Sequence, residues 1–207
     1  MEITAITKCR QHLFCVELTD AKSVLLDAKT VTDNGLFVGQ QLSADGLSKI
    51  QRESDYARAF SRAVWYIERG DISEKALKDK LKRAGFEITA IEKAAERLTE
   101  LGLIDDTALA ERMAARLTES NVSVRAALIK MTAKGIDRAT AKAALENIEC
   151  DAAQQIRAVI EKKYKSKLTD ADSVRRVFAA LQRLGFGYSD IRSVLKQYSE
   201  ELQYEED

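Results

Sequence analysis

The sequence predicts a mostly α-helical protein: three tandem three-helix repeats forming an elongated, curved body, preceded by a small antiparallel β-rich N-terminal module. Three observations predict it. The turn Ala84-Gly85-Phe86 recurs as Lys134-Gly135-Ile136 and Leu184-Gly185-Phe186, fifty residues apart each time. A fixed period of this size marks one supersecondary unit copied along a chain. The chain has no proline, only nine glycines and 32% charged residues, a composition that favours helices. Residues 1 to about 50 instead alternate apolar and polar positions over short runs, the period of half-buried strands.

Within the N-terminal module, Ile3 and Ala5, then Phe14, Val16 and Leu18, then Val24 and Leu26 mark three strands. Thr19-Asp20-Ala21-Lys22 reads as a hairpin connection, and a short helix over Ala28 to Asp33 is stopped by Asn34-Gly35, with another turn at Gly39. Three strands need a covered face to be stable, so the sheet should pack on the first helices of the repeat region. Ser43 to Asp55 is polar and holds Asp45-Gly46 and Gln51-Arg52-Glu53-Ser54. It reads as a connection or short exposed helix, and as the domain boundary.

The repeats follow. Upstream of each glycine, Leu77 and Leu81 align with Ala127 and Met131 and with Val177 and Leu181. Downstream, Ile91, Ala94, Ala95 and Leu98 align with Ala141, Ala144, Leu145 and Ile148 and with Ile191, Val194, Leu195 and Tyr198. Both sets keep three-and-four helical spacing. A further helix precedes each pair, carrying Tyr56, Phe60, Val64 and Ile67, then Leu109, Met113 and Leu117, then Ile156, Val159, Ile160 and Tyr164. Ser73, Thr89 with Glu92 as a capping box, and Asp106 are expected helix starts. Glycine suits the turn because the residue just past a helix often takes positive φ. The expected division is residues 1–50, the β-rich module; 51–104, 105–149 and 150–200, the three repeats; and 201–207, an acidic tail.

Catalytic chemistry is thinly represented. The one histidine, His12, falls in a predicted strand without a recognised nucleophile or carboxylate arrangement, so no catalytic residue is expected. Cys9, Cys15 and Cys150 lack metal-ligand spacing, and phosphate-loop and dinucleotide fingerprints are absent, so neither metal nor cofactor is expected. Asp105-Asp106 reads as a helix start, where carboxylates meet unpaired N–H groups and a positive dipole end. Trp65 is expected to fill the seam between sheet and first repeat. Nothing resembles a signal peptide or a membrane span, and free thiols suit a reducing cytoplasm.

Basic and acidic residues balance at 33 each, so distribution, not net charge, is informative. Between Arg157 and Arg183 eight basic residues face three acidic ones. The candidates for a phosphate- or acid-contacting face are Lys78, Lys82 and Arg83, Arg125, Lys162 and Lys163, and Arg175, Arg176 and Arg183. Without interleaved aromatics, such a face should be backbone-directed and salt-sensitive rather than base-reading.

From Ala57 onward, the stretch containing ISEKALKDKLKRAGFEITAIEKAAERLTELGLIDD resembles the signature of the RecX family, bacterial modulators of the RecA recombinase. Ser73, Leu77, Leu81, Gly85, Phe86, Ile91, Leu98, Gly102, Leu103, Ile104, Asp105, Asp106 and Ala110 stand where that pattern expects them, and Arg125, Leu128, Lys134, Gly135 and Ile136 continue it. LFVGQQLS is similar to the extra N-terminal segment of longer members; Leu109 departs from the pattern, where an aromatic is usual. The resemblance implies a non-enzymatic, cytoplasmic, monomeric regulator. Its partners would be the RecA filament and, through backbone phosphates, the single-stranded DNA within it. It would limit filament growth, ATP hydrolysis, strand exchange and co-protease activity. The alternative is a helix-turn-helix regulator that binds specific duplex DNA without RecA.

Overall fold

The structure, a computed structural model, describes residues 1–204 apart from 11, 149 and 169. The N-terminal alternation yields three strands, β1 (Ile3–Arg10), β2 (Leu13–Leu18) and β3 (Ser23–Asp27), ordered β1-β2-β3 with both pairings antiparallel. Ile6 pairs with Val16 and Val16 with Val24. Ile3, Val16, Leu18 and Leu26 are buried. His12 lies not in a strand but in the exposed reversal between β1 and β2, because Arg10 pairs directly with Leu13. The helix α1 (Ala28–Asp33) begins on the Asp27 carboxylate, which accepts from the Lys29 and Thr30 N–H groups at 3.0 and 3.2 Å. Gly35 ends it at φ +55°.

The polar stretch before Tyr56 is neither a connection nor exposed throughout. One helix, α2 (Ala44–Ile67), runs unbroken through it and across the expected 50/51 boundary. The Ser43 hydroxyl accepts from Gly46 N–H at 3.0 Å, so Asp45-Gly46, which resembles a turn, is the capped first turn. Leu47 and Ile50 bury into the sheet's core with Val16 and Leu26, and Ser54 Oγ accepts from Asp27 N–H at 2.8 Å. The sheet therefore packs on the first helix of the repeat region. Farther along, Ala59 lies against Ala90 and Ala94, where small side chains let backbones approach closely.

The remaining helices are α3 (Glu74–Arg83), α4 (Ile88–Glu100), α5 (Asp106–Glu119), α6 (Val124–Ala133), α7 (Arg138–Glu146), α8 (Ala152–Lys163), α9 (Ala171–Arg183) and α10 (Tyr188–Tyr204). A short 3₁₀ turn, Lys165–Lys167, separates α8 from α9. Of the acidic tail, 201–204 continue the backbone of α10, and 205–207 lie outside the described residues. Packing divides the chain into two compact units, Met1–Asp105 and the part from Asp106 on.

Each repeat turn is the same object. Gly85, Gly135 and Gly185 have φ of +86°, +92° and +88°. The glycine N–H bonds back to Lys82, Thr132 or Gln182, and the next N–H to Leu81, Met131 or Leu181. This pair of bonds satisfies carbonyls that the helix end would leave open. The following apolar residue folds back: Phe86 packs with Leu81, Ile136 with Met131, Phe186 with Leu181. Ser73, Ser123 and Ser173 recur at the same period and are all buried. Ser73 and Ser123 cap α3 and α6 by accepting from Ala76 and Ala126 N–H groups, both at 3.2 Å. In the third repeat the cap moves to Asp170, and Ser173 completes a capping box, so α9 starts earlier than its counterparts. Thr89 and Glu92 form no such box: α4 starts at Ile88 after Glu87, one residue upstream of Thr89, and Glu92 binds Lys78.

Gly185 is constrained twice. A Cβ there would meet Ser123 Oγ at 2.6 Å, and that hydroxyl donates to the Leu184 carbonyl at 2.7 Å, joining second repeat to third. Around Gly85 nothing lies within reach of a Cβ. Gly85→Ala should thus cost only the left-handed backbone penalty, about 1–2 kcal/mol, whereas Gly185→Ala should cost distinctly more. Denaturant unfolding of both variants checks the order; equal losses would mean that the Ser123 contact does not constrain the turn.

Candidate binding interface

In the second unit, α9 is amphipathic: Val177 and Leu181 face the core, and Arg176 and Arg183, seven residues apart, share an exposed face beside it. They line one groove with Tyr164, at the C-terminal end of α8, and Lys167 of the 3₁₀ turn. The Lys167 ammonium lies 6.0 Å from the Tyr164 ring centroid. Among the described residues no carboxylate pairs with Arg176, Arg183 or Lys167. The groove therefore offers three cations and one aromatic ring to an anion.

The other expected residues are distributed differently. Arg175 points to its own exposed ion pair with Asp172 at 3.3 Å. Lys162 and Lys163 end α8, and Lys82 and Arg83 end α3, positions where the negative pole of the helix dipole favours cations whatever binds there. Arg125 stands in the first turn of α6, where the dipole disfavours it, and so does Lys75 in the first turn of α3. Lys75, Arg125 and Arg175 fall at one position of the fifty-residue period. The sequence reading missed Lys75, although that period could have found it.

Lys78 is not available in the same way. Its ammonium pairs with Glu74 at 2.8 Å and with Glu92 of α4. Burial lowers its proton affinity, but the hydrogen bonds to Glu74 and Glu92 outweigh burial and hold its pKa above the ordinary value. It clamps α3 to α4.

Trp65 does not fill the seam. It lies about 200° round the helix from buried Ala63 and is 39% exposed. The Arg69 guanidinium carbon sits 3.5 Å from its ring centroid and that of Arg62 5.1 Å away, while Tyr66 meets it edge-on at 5.1 Å. Lys80 of α3 lies 4.9 Å over Tyr66. The first repeat thus carries interleaved aromatics and cations. Their spacing over 62, 65, 66 and 69 was legible as one helical stripe. Cys15 is half-buried and Cys9 exposed on neighbouring strands, and burial, with Cys9 alongside, raises the Cys15 pKa. Among the described residues no cluster of three potential ligands could hold a metal, and no helix is long and apolar enough to cross a membrane.

Two family models match within this architecture. The RecX first three-helix domain covers residues 59–98, and the RecX third three-helix domain covers 149–195. A regulatory protein RecX of Prosthecochloris aestuarii is 30% identical over 146 residues, spanning 70% of this chain and 96% of its own length. The chain belongs to the RecX family. A Clostridium tetani regulatory protein RecX is 26% identical over 204 residues, covering 95% of this chain and 92% of the relative. A crystal structure of regulatory protein RecX superposes with TM-score 0.68 at 18% identity, covering 94% of this chain and 98% of that one. A second, from Lactobacillus salivarius, gives 0.62 at 21% identity over 72% and 97%. Those two structures establish the shared fold. The chain is therefore related to a family of regulators and is mostly helical with a small N-terminal sheet.

Lys78→Gln should remove the clamp and cost about 0.5–1 kcal/mol near neutral pH. Because the folded pKa is raised, the wild-type advantage is fully present below the ordinary lysine value of 10.5 and fades as pH rises through the higher folded value. Unfolding free energies of both proteins against pH would show the gap closing at alkaline pH; a gap that persists would assign the loss to packing.

Proposed function

We propose that this chain is a cytoplasmic, non-enzymatic modulator of the RecA recombinase, acting as a monomer on the RecA–single-stranded DNA filament. It would limit filament growth, ATP hydrolysis, strand exchange and co-protease activity. Membership of a family of regulators supports the class. The observation that carries the binding mode is the groove of Arg176, Arg183, Lys167 and Tyr164, whose cations pair with no carboxylate among the described residues. Unpaired guanidiniums on a helix surface suit phosphates or acidic groups of a partner, because the planar fork takes two oxygens at once.

Repetition gives this a physical logic. A filament repeats one protomer, and a chain that repeats one unit can engage successive protomers, each later contact being intramolecular. Lys75, Arg125 and Arg175 belong to this reading as period-related contacts, with Lys82, Arg83, Lys162 and Lys163 as helix-end cations that add attraction. The proposed division of labour keeps 1–50 as a module supporting the first repeat and assigns binding to the repeats at 51–104, 105–149 and 150–200. Lys78 is left out of the binding face, because the fold already uses its charge.

Two measurements test this. Single-stranded-DNA-dependent ATP hydrolysis by the cognate recombinase should fall at ratios well below one regulator per protomer, and no effect at equimolar ratio would overturn the proposal. Arg176→Glu with Arg183→Glu should weaken filament binding and flatten its dependence on salt, since each lost phosphate contact lowers the slope by about one. An unchanged slope would reject the groove as the contact.

A further inference from the structure

We propose that the face of α2 and α3 formed by Arg62, Trp65, Tyr66, Arg69 and Lys80 is a stacking site for single-stranded nucleic acid. An unpaired base would lie against the Trp65 indole while the surrounding cations hold the adjoining phosphates. The proposal deepens the reading above, on which it rests for its biological setting, and assigns base contact to a place where the sequence indicated only backbone contact.

An indole contributes to stability in proportion to the apolar area it buries, and on the neighbouring helix Leu77 and Leu81 are fully buried. Here 39% of the residue remains open to water on the side of α2 that faces away from Ala59 and Ala63. Arg69 stacks on the indole at 3.5 Å and also donates from its guanidinium to the Trp65 carbonyl at 2.9 Å, which holds it in one orientation. Arg62 lies 5.1 Å from the same centroid and 5.9 Å from that of Tyr66, wider than close stacking. Arg62 thus makes the looser contact, and its displacement would admit another flat π system while its charge stays beside the site.

Among the described residues no carboxylate pairs with Arg62, Arg69 or Lys80. Contrast Arg58, one turn back on α2, which is paired with Asp55 at 3.2 Å, and Lys78, two residues from Lys80, which is paired with Glu74. Three cations around an exposed aromatic edge complement a phosphodiester chain. The same arrangement gains little from a duplex, whose bases are already stacked on each other. An acidic peptide would satisfy the cations and leave the indole unused. Alternating rings and charges therefore favour an unpaired strand.

The chain contains a single tryptophan, so its emission reports this site alone. Titration of the full-length protein with a short oligothymidylate should quench that emission saturably. Inorganic polyphosphate, which carries the charge without bases, should compete for the site yet quench much less. Poly-glutamate tests the acidic-peptide alternative. Absence of quenching by the oligonucleotide, or equal quenching by poly-glutamate, overturns the proposal. In parallel, anisotropy of a labelled oligonucleotide should show at least about fivefold weaker binding for Trp65→Ala, the low end of what one stacked base contributes. Trp65→Phe, which keeps a ring, should retain most of the affinity. Equal affinity for wild type and Trp65→Ala also overturns the proposal. The outcomes separate it from the recombinase reading: quenching by DNA in a protein that leaves RecA unaffected would sink only that reading, and inhibition of RecA without quenching would sink only this site.

Discussion

Three left-handed glycines govern the helical part of this molecule. At Gly85, Gly135 and Gly185 the chain leaves a helix with φ near +90°, returns the next apolar side chain onto that helix, and starts a new helix at residue 88, 138 or 188. A residue with a Cβ resists that backbone, and a residue with ordinary φ would send the next helix elsewhere. The fixed turn explains why core positions on both sides keep register while their identities drift. Leu77 and Leu81 become Ala127 and Met131, and then Val177 and Leu181, without loss of the three-helix arrangement. The second repeat is the lean version: alanines fill five of its nine buried core positions.

That constraint also sorts the charges. Once helices begin and end at fixed places, the dipole accounts for cations in the last turns, such as Lys82, Arg83, Lys162 and Lys163. It accounts equally for Arg183, which ends α9 as Arg83 ends α3, but not for Lys75 and Arg125 in first turns, nor for Arg176 in the middle of α9. Exposed ion pairs such as Arg175–Asp172 contribute little to stability, so the fold itself gains little from these cations. The same reasoning separates Lys78, drawn into a clamp between α3 and α4, from Lys80, two residues on and seated over Tyr66.

Much of this was legible in the sequence. The strands, the helix over 28–33 and the repeat helices follow from periodicity and turn chemistry, and the glycine turns announce themselves by spacing. The misreadings have local causes. Asp45-Gly46 looks like a turn because both residues favour turns, yet Ser43 two residues earlier supplies the cap that makes them a helix start. Thr89 and Glu92 have the letters of a capping box, but the Gly85–Phe86 reversal has already committed the chain to begin α4 at Ile88. Trp65, between Val64 and Ile67, reads as filling the seam between sheet and first repeat, although adjacent residues on a helix point about 100° apart. For the candidate interface, the basic positions were visible but their partners were not. Whether a lysine is clamped between helices, as Lys78 is by Glu92, or open, like Lys167, depends on carboxylates brought in by another helix.

The proposed binding mode matches repetition in this chain to repetition in its partner. Co-sedimentation of the full-length protein with assembled RecA–single-stranded DNA filaments, compared with its binding to unassembled RecA protomers in the same buffer, tests that mode most directly. The account predicts tight, salt-sensitive binding to filaments and much weaker binding to protomers, because successive contacts add only on a repeating surface. Equal affinity for filament and protomer would contradict it and reduce the repeats to a scaffold for a single contact.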